Sequence, residues 1–218
     1  MKAIRKIKKS HISVTGYFSS YKNKRQINFE SKLEHDFYLL LEFDRNVQSY
    51  HEQPFLVYYK YQGLTRRYPT DTLITYIDGS QKVFEVKPLS KIKNSIELQE
   101  KLKLQRQKIK EEKNLNFFIF TDNDINTVYI NNIKAIYNCA FLKENQEIQY
   151  KIKKELLNLN TSIAIKDLLD SLTINQTERL RFIPYLWNLV FKNFECIDLT
   201  KKVTMASMID PKEIRWED

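Results

Sequence analysis

The chain has 218 residues, of which 42 % are hydrophobic and 13 % aromatic, enough for one large domain or two small ones with a real core and too much for global disorder. Three glycines and no P-loop or dinucleotide fingerprint argue against a Gly-rich phosphate cradle. Cys139 and Cys196, with scattered His11, His35 and His51, form neither a zinc pattern nor a disulfide framework. The net charge is +9, and it is unevenly spread: residues 1–113 hold 23 Lys and Arg against 13 Asp and Glu, whereas the rest holds 13 against 14. A polyanion partner for the N-terminal half follows.

No run of eighteen apolar residues exists, and no apolar segment follows the basic N-terminus, so a soluble cytoplasmic protein with no membrane partner is expected. Residues 1–28 interleave Arg5, Lys6, Lys8, Lys9, Lys22, Lys24 and Arg25 with Tyr17, Phe18 and Tyr21. Such a basic arm is either a solvated tail or a segment laid along a phosphate backbone. Residues 29–43 read as a helix, with Phe29, Leu33, Phe37, Leu40 and Leu41 at helical spacing. Glu34 borders that stripe, but Ser31-x-x-Glu34 is also a capping box, which would make the glutamate structural.

Residues 55–61 are β-rich and end at Gln62-Gly63; Arg66, Arg67 and Tyr68 follow, then two short β-patterned runs around Asp78-Gly79 between Asp71 and Lys87. Residues 94–113 read as a helix with Ile96, Leu102 and Ile109 inside and Lys101, Lys103, Arg106, Lys108 and Lys110 around them. Residues 115–120 form a nearly continuous apolar run, expected for a strand buried on both faces. The last three elements make a βαβ unit, so the expected fold is α/β, a mixed sheet flanked by helices. Beyond about residue 145 the pattern turns helical, with one helix around Ile163–Leu172 and another over Leu180–Phe194; Cys196-Ile-Asp-Leu and Lys202-Val-Thr-Met read as two short strands of a wing. The expected organisation is a basic arm (1–28), an α/β domain (29–144) and a small winged-helix-like domain (145–218).

Alternation places Glu85 and Lys87 on one face of their strand. Asp71 joins them only if the turn has three residues, Ile77-Asp78-Gly79, with Gly79 left-handed; a two-residue turn would send its carboxylate to the other sheet face. Two adjacent carboxylates repel without a cation between them, and oxygen-only ligands suit Mg²⁺, with Mn²⁺ as a substitute. The carbonyl of Val86 is a further candidate ligand and Glu34 a fourth, while Lys87 is placed to hold or deprotonate a water. The bland reading is a surface hairpin with an ordinary Glu/Lys face.

Asp71 followed by Glu85-Val-Lys87, after a helix bearing Glu34, resembles the PD-(D/E)xK nuclease superfamily. More narrowly the chain is similar to TnsA, the endonuclease subunit of TnsABC-type heteromeric transposases. The matching stretches are Ser31-Lys-Leu-Glu34 with Leu-Leu-Glu42-Phe, Glu52-Gln53-Pro54-Phe55, Thr70-Asp71, Val86-Lys87-Pro88, and Phe118-Ile-Phe-Thr-Asp122-Asn-Asp-Ile-Asn126. The resemblance implies a restriction-endonuclease-like fold and puts Glu34, Asp71, Glu85 and Lys87 in the catalytic positions. It implies cleavage of one strand at the 5′ ends of a transposon, with a TnsB-like DDE transposase cutting the other strand and a TnsC-like AAA+ regulator bound through the C-terminal region. Candidate contacts to double-stranded DNA are Lys22, Lys24, Arg25, Arg66, Arg67, Lys101, Arg106 and Lys108. A stand-alone restriction-type nuclease and an inactive DNA-binding assembly module remain alternatives.

Overall fold

The computed structural model describes residues 14–216. Arg5, Lys6, Lys8 and Lys9 of the expected basic arm, and His11, lie outside them. The described part of that arm contributes to a β-hairpin. β1 (Gly16–Ser20) and β2 (Arg25–Phe29) pair antiparallel, burying Phe18, Ile27 and Phe29 on one side. They pack on α1 (Lys32–Glu42), with His35 edge-on to Phe18 at 5.4 Å and to Phe29 at 5.1 Å. Phe29 therefore belongs to a strand and the helix starts three residues later, because Ser31 caps it: its Oγ accepts the Glu34 amide at 3.1 Å. The hairpin also gives α1 a second apolar neighbour. Tyr38 stacks on Tyr50 at 5.5 Å, while Phe37 turns to Phe84 and Phe120 at 5.4 and 4.6 Å.

β3 (Val47–Glu52) leads into a hairpin of its own, β4 (Leu56–Tyr61) and β5 (Leu64–Pro69), which turns at Gln62 and Gly63, both at positive φ. Val57, Tyr59, Tyr61 and Tyr68 are its buried face; Tyr58, Lys60, Thr65 and Arg67 are exposed on the other. This ribbon is a separate two-stranded sheet. Gln53 closes its base in a left-handed conformation (φ 44°), its N–H donating to the Asp71 carbonyl at 2.8 Å.

β6 (Thr72–Tyr76) and β7 (Gln81–Val86) pair with Thr72 opposite Phe84 and Thr75 opposite Gln81. The Tyr76 N–H donates to Ser80 O at 2.9 Å and the Gly79 N–H to Tyr76 O at 3.0 Å, leaving Ile77-Asp78-Gly79 as the loop with Gly79 at φ +80°. This is the three-residue turn expected from the sequence, and its register sets Asp71 opposite Glu85. After α2 (Leu89–Lys93) and α3 (Ile96–Lys113), β8 (Asn116–Phe120) joins β7 in parallel, completing a mixed sheet of order β3-β6-β7-β8. One face of the sheet, with Leu73, Val83 and Phe117, packs with the ribbon tyrosines and with Leu102 and Ile109 of α3. The other face meets α1.

Two burial expectations fail in this region. β8 lies at the sheet edge, so Asn116 and Phe118 are exposed instead of buried on both faces. Ile96 is also exposed, since it opens α3 before the helix reaches the ribbon; Gln105, between Leu102 and Ile109, is buried in its stead. The Asp122 of the last motif stretch is a cap, its Oδ1 accepting the Leu89 amide at 2.7 Å.

The chain divides into compact units between Ile125 and Asn126, whereas the sequence reading drew its line at 144/145. The reason is α4 (Thr127–Tyr137), whose Ile130, Ile133 and Ile136 are buried and whose Tyr137 packs against Phe191 of the second unit. That unit continues with α5 (Gln146–Leu157), β9 (Ile163–Ala164), α6 (Ile165–Leu172), α7 (Gln176–Lys192) and β10 (Met208–Ile209). Its short strands are not where the sequence placed them. β10 pairs with β9, Ile197 bridges to Ile209, and Lys202–Met205 forms no strand. The side chain of Asn132 claims that segment, donating to Leu199 O and Lys201 O at 2.8 and 2.7 Å and accepting from Val203 N at 3.2 Å.

Nothing lies within 4 Å of a Cβ added at Gly79, so Gly79→Ala isolates the backbone cost of its left-handed conformation. Stability should fall by about 1–2 kcal/mol, seen in urea unfolding as a lower midpoint with an unchanged slope.

Candidate active site

The C-terminal end of β7 carries the site. Glu85 and Lys87 project from the sheet face covered by the ribbon and α3, and the Lys87 backbone is fixed by its N–H bond to Phe120 O at 3.0 Å. Asp71 reaches them from the chain entering β6. Its Oδ2 accepts from the Val86 N–H at 3.0 Å and from Lys87 Nζ at 3.2 Å. The same ammonium lies 2.7 Å from Glu85 Oε1 and donates to the Val86 carbonyl at 3.3 Å. One cation thus serves two carboxylates and a carbonyl. The second Glu85 oxygen accepts the Tyr68 hydroxyl.

The charges respond unequally. Glu85 is 3 % exposed, and its carboxyl is raised to about 8, chiefly by burial and then by the facing Asp71 charge, against the opposing pull of Lys87 and Tyr68. Burial works to lower the Lys87 ammonium, but Asp71 and Glu85 together outweigh it and raise it above its usual value. The ion pair therefore wins on the lysine, which has two acids, and loses on the glutamate, which has one lysine.

Glu34 lines the same open cleft together with Glu30, Glu52, Gln53, Tyr68 and Gln105. It arrives from α1, on the other face of the sheet, and both its oxygens are engaged: Oε2 by the Glu30 N–H at 2.9 Å, Oε1 by the Ser31 hydroxyl at 3.0 Å. Burial raises its carboxyl, as does the Asp71 charge. Only half of the expected capping box forms: Ser31 caps the Glu34 amide, but Glu34 accepts from the Glu30 amide and the Ser31 hydroxyl, not from the Ser31 amide, and it keeps its position in the cleft. Among the described residues, no three His, Cys, Asp or Glu side chains come together closely enough to hold a metal ion. Lys87 occupies the space between Asp71 and Glu85, and Glu34 is held back by its own cap.

The candidate DNA contacts separate into two groups. Lys22 is turned inward, its ammonium bonded to the carbonyls of Asp44 and Val47 at 2.5 and 2.6 Å, and burial lowers it. Arg25 grips Glu52 with two parallel bonds of 2.9 and 2.6 Å. Lys101 pairs with Glu97 and Lys108 with Glu111. Lys24, Arg66, Arg67 and Arg106 are exposed, with Arg66 and Arg67 on opposite faces of the ribbon. Sequence reasoning missed Tyr68, Gln53 and Gln105. Gln105 left a signal: it sits three residues after Leu102 and four before Ile109, a polar residue on an apolar helical stripe.

A mixed four-stranded sheet flanked by helices, with an acid pair and a lysine at the end of one strand, is a restriction-endonuclease-like fold. Residues 44–122, which contain Asp71, Glu85 and Lys87, match the family model of the TnsA-like endonuclease N-terminal domain. No curated protein matches the chain.

The raised Glu85 carboxyl sets a pH dependence. Its folded value lies above the usual 4.5, so the folded state holds the extra proton and Glu85 lowers stability as pH rises from about 4.5 to about 8. Glu85→Gln should therefore gain stability over wild type across that window and lose the advantage below it. Melting temperature of the two proteins against pH checks this.

Proposed function

We propose that this chain is a Mg²⁺-dependent DNA endonuclease of TnsA type that cuts one strand at the 5′ ends of a transposon, alongside a TnsB-like DDE transposase and a TnsC-like AAA+ regulator. The observation that carries the reading is the convergence of Asp71, Glu85 and Lys87 in one cleft within the stretch that matches the endonuclease family.

The donor set fits a hard divalent cation. Asp71 Oδ1 receives no hydrogen bond among the described residues and Val86 turns its carbonyl to the same space, while both Glu85 oxygens are bonded, Oε1 to Lys87 and Oε2 to Tyr68, and would be exchanged for the ion. Asp71, Glu85 and Val86 would hold the ion, which when bound offsets the charge that develops on the scissile phosphate. Lys87 is an ammonium at neutral pH, so it donates to and orients an attacking water or a phosphate oxygen. It serves as a base only once its two acids are neutralised. Exposed Lys24, Arg66, Arg67 and Arg106 supply phosphate contacts. The helix–strand–helix–helix order of α5, β9, α6 and α7, followed by β10, supports a winged-helix-like second unit. Its near-neutral charge suits a protein partner such as the regulator better than independent DNA binding.

The test is strand cleavage of a supercoiled plasmid carrying transposon ends, with all partner proteins and Mg²⁺. Asp71→Ala and Lys87→Ala should each lower cleavage by about 10²–10⁴-fold; cleavage at the wild-type rate would sink the proposal. Specific cutting by the isolated chain would favour a stand-alone nuclease.

Glu34 separates into its two roles by substitution. Ser31→Ala should cost about 1 kcal/mol and leave cleavage intact. Glu34→Gln keeps an oxygen for the Glu30 amide but removes the charge, and should lower cleavage about 10–100-fold with little change in melting temperature.

A further inference from the structure

The ribbon of β4 and β5 is buried unevenly. β4 alternates, with Val57, Tyr59 and Tyr61 inside and Tyr58 and Lys60 outside, as a strand covered on one face should. β5 does not: Leu64, Thr65, Arg66 and Arg67 are exposed in succession before Tyr68 turns inward. The difference comes from α3, which meets β4 through bonds of Gln105 and Glu100 with the Tyr59 and Tyr61 hydroxyls. The start of β5 is left in solvent on both faces. Charge guards such an unpaired edge against other strands, and either sign serves. Here residues 53–70 contain Lys60, Arg66 and Arg67 and no Asp or Glu. Arg66 and Arg67 make no hydrogen bond or ion pair among the described residues, and Glu97, whose charge reaches Arg66, is paired with Lys101.

Arg66 and Arg67 are neighbours in an extended strand, so their side chains leave opposite faces of the ribbon. A guanidinium on each side of a thin, acid-free edge matches two rows of phosphates that face each other across a groove. The major groove of duplex DNA, about 12 Å wide, admits a two-stranded β-ribbon. A membrane or an acidic protein surface would offer anions to one face only. We propose that the β4–β5 ribbon enters the major groove by its β5 edge, with Arg66 and Arg67 each gripping the backbone of a different strand. This rests on the DNA-endonuclease reading and gives it the element that sets where along the duplex the cut falls. The ribbon can set that distance because it is bonded to the site. Gln53 and Phe55 hold its root to Asp71 and Thr70, and the Tyr68 hydroxyl reaches Glu85.

The test is binding of the full chain to a fluorescent duplex carrying a transposon end, by anisotropy over a range of NaCl, with hydroxyl-radical footprints of the same complexes. Arg66→Gln and Arg67→Gln should each keep the wild-type melting temperature and weaken binding severalfold. Each should lower the slope of log affinity against log salt by about one. Each should also lose backbone protection on one strand, and not on the same strand. Lys151→Gln, on α5, should match wild type. Wild-type affinity and slope in the double variant overturn this inference, as does protection lost on the same strand in both variants or no binding of the wild-type chain at the lowest salt. Loss of cleavage in Asp71→Ala with all partners present would then leave the nuclease reading in place. Ribbon-dependent protection of a duplex that the assembled system never cuts overturns the nuclease reading instead.

Discussion

One ammonium group between two carboxylates is the contact on which the rest of the first unit depends. Without Lys87, Asp71 and Glu85 would face each other across a hairpin in a site where Glu85 has almost no water. Three constraints have to agree for the contact to form. A glycine-closed turn fixes the register of β6 on β7, the parallel bond to β8 fixes Lys87, and the Val86 amide fixes Asp71. Two are backbone features and the third is a backbone N–H holding the Asp71 carboxylate, so the sheet itself sets the positions of the site residues.

The electrostatics of the site carry the same logic. Burial and like charge raise Glu85, while the pair of acids raises Lys87. The glutamate and the lysine are thus both pushed toward holding a proton, the one by burial and Asp71, the other by its two acids. Perturbation of this kind, in opposite chemical roles a few ångströms apart, is a mark of functional sites more than of structural ion pairs. The surface pairs elsewhere in the chain, such as Lys151 with Glu147 on α5, show what the structural kind looks like: exposed, one helical turn apart, and interchangeable.

How much of this was legible beforehand differed by the range of the interaction. The turn, its left-handed glycine and the shared face of Glu85 and Lys87 follow from period-two alternation and loop length, which are local, and they hold in the structure. The Ser31 cap was legible for the same reason. The burial of the apolar run at Asn116–Phe120 was not, because position at the sheet edge is a property of strand order, which no single stretch encodes. The inward turn of Lys22 and the grip of Arg25 on Glu52 depend on contacts more than twenty residues away, so both looked like free cations. Tyr68 and Gln105 were hidden in another way. Each is unremarkable alone and becomes part of the site only when the ribbon and α3 are laid over the same sheet face. The family match, which starts at residue 44, likewise leaves out α1, so Glu34 enters the cleft from beyond the matched stretch.

The base of the ribbon has one more consequence. Gln53 and Asp71 are joined by a 2.8 Å bond, and the Thr70 amide bonds to the Phe55 carbonyl at 3.2 Å, so the excursion from β3 out to Gly63 and back is stapled at its root. The spacing of the acids is thus anchored at the foot of the hairpin, where Gln53 and Phe55 hold Asp71 and Thr70, while the tip is tied separately to α3 through the Tyr61 hydroxyl and Glu100.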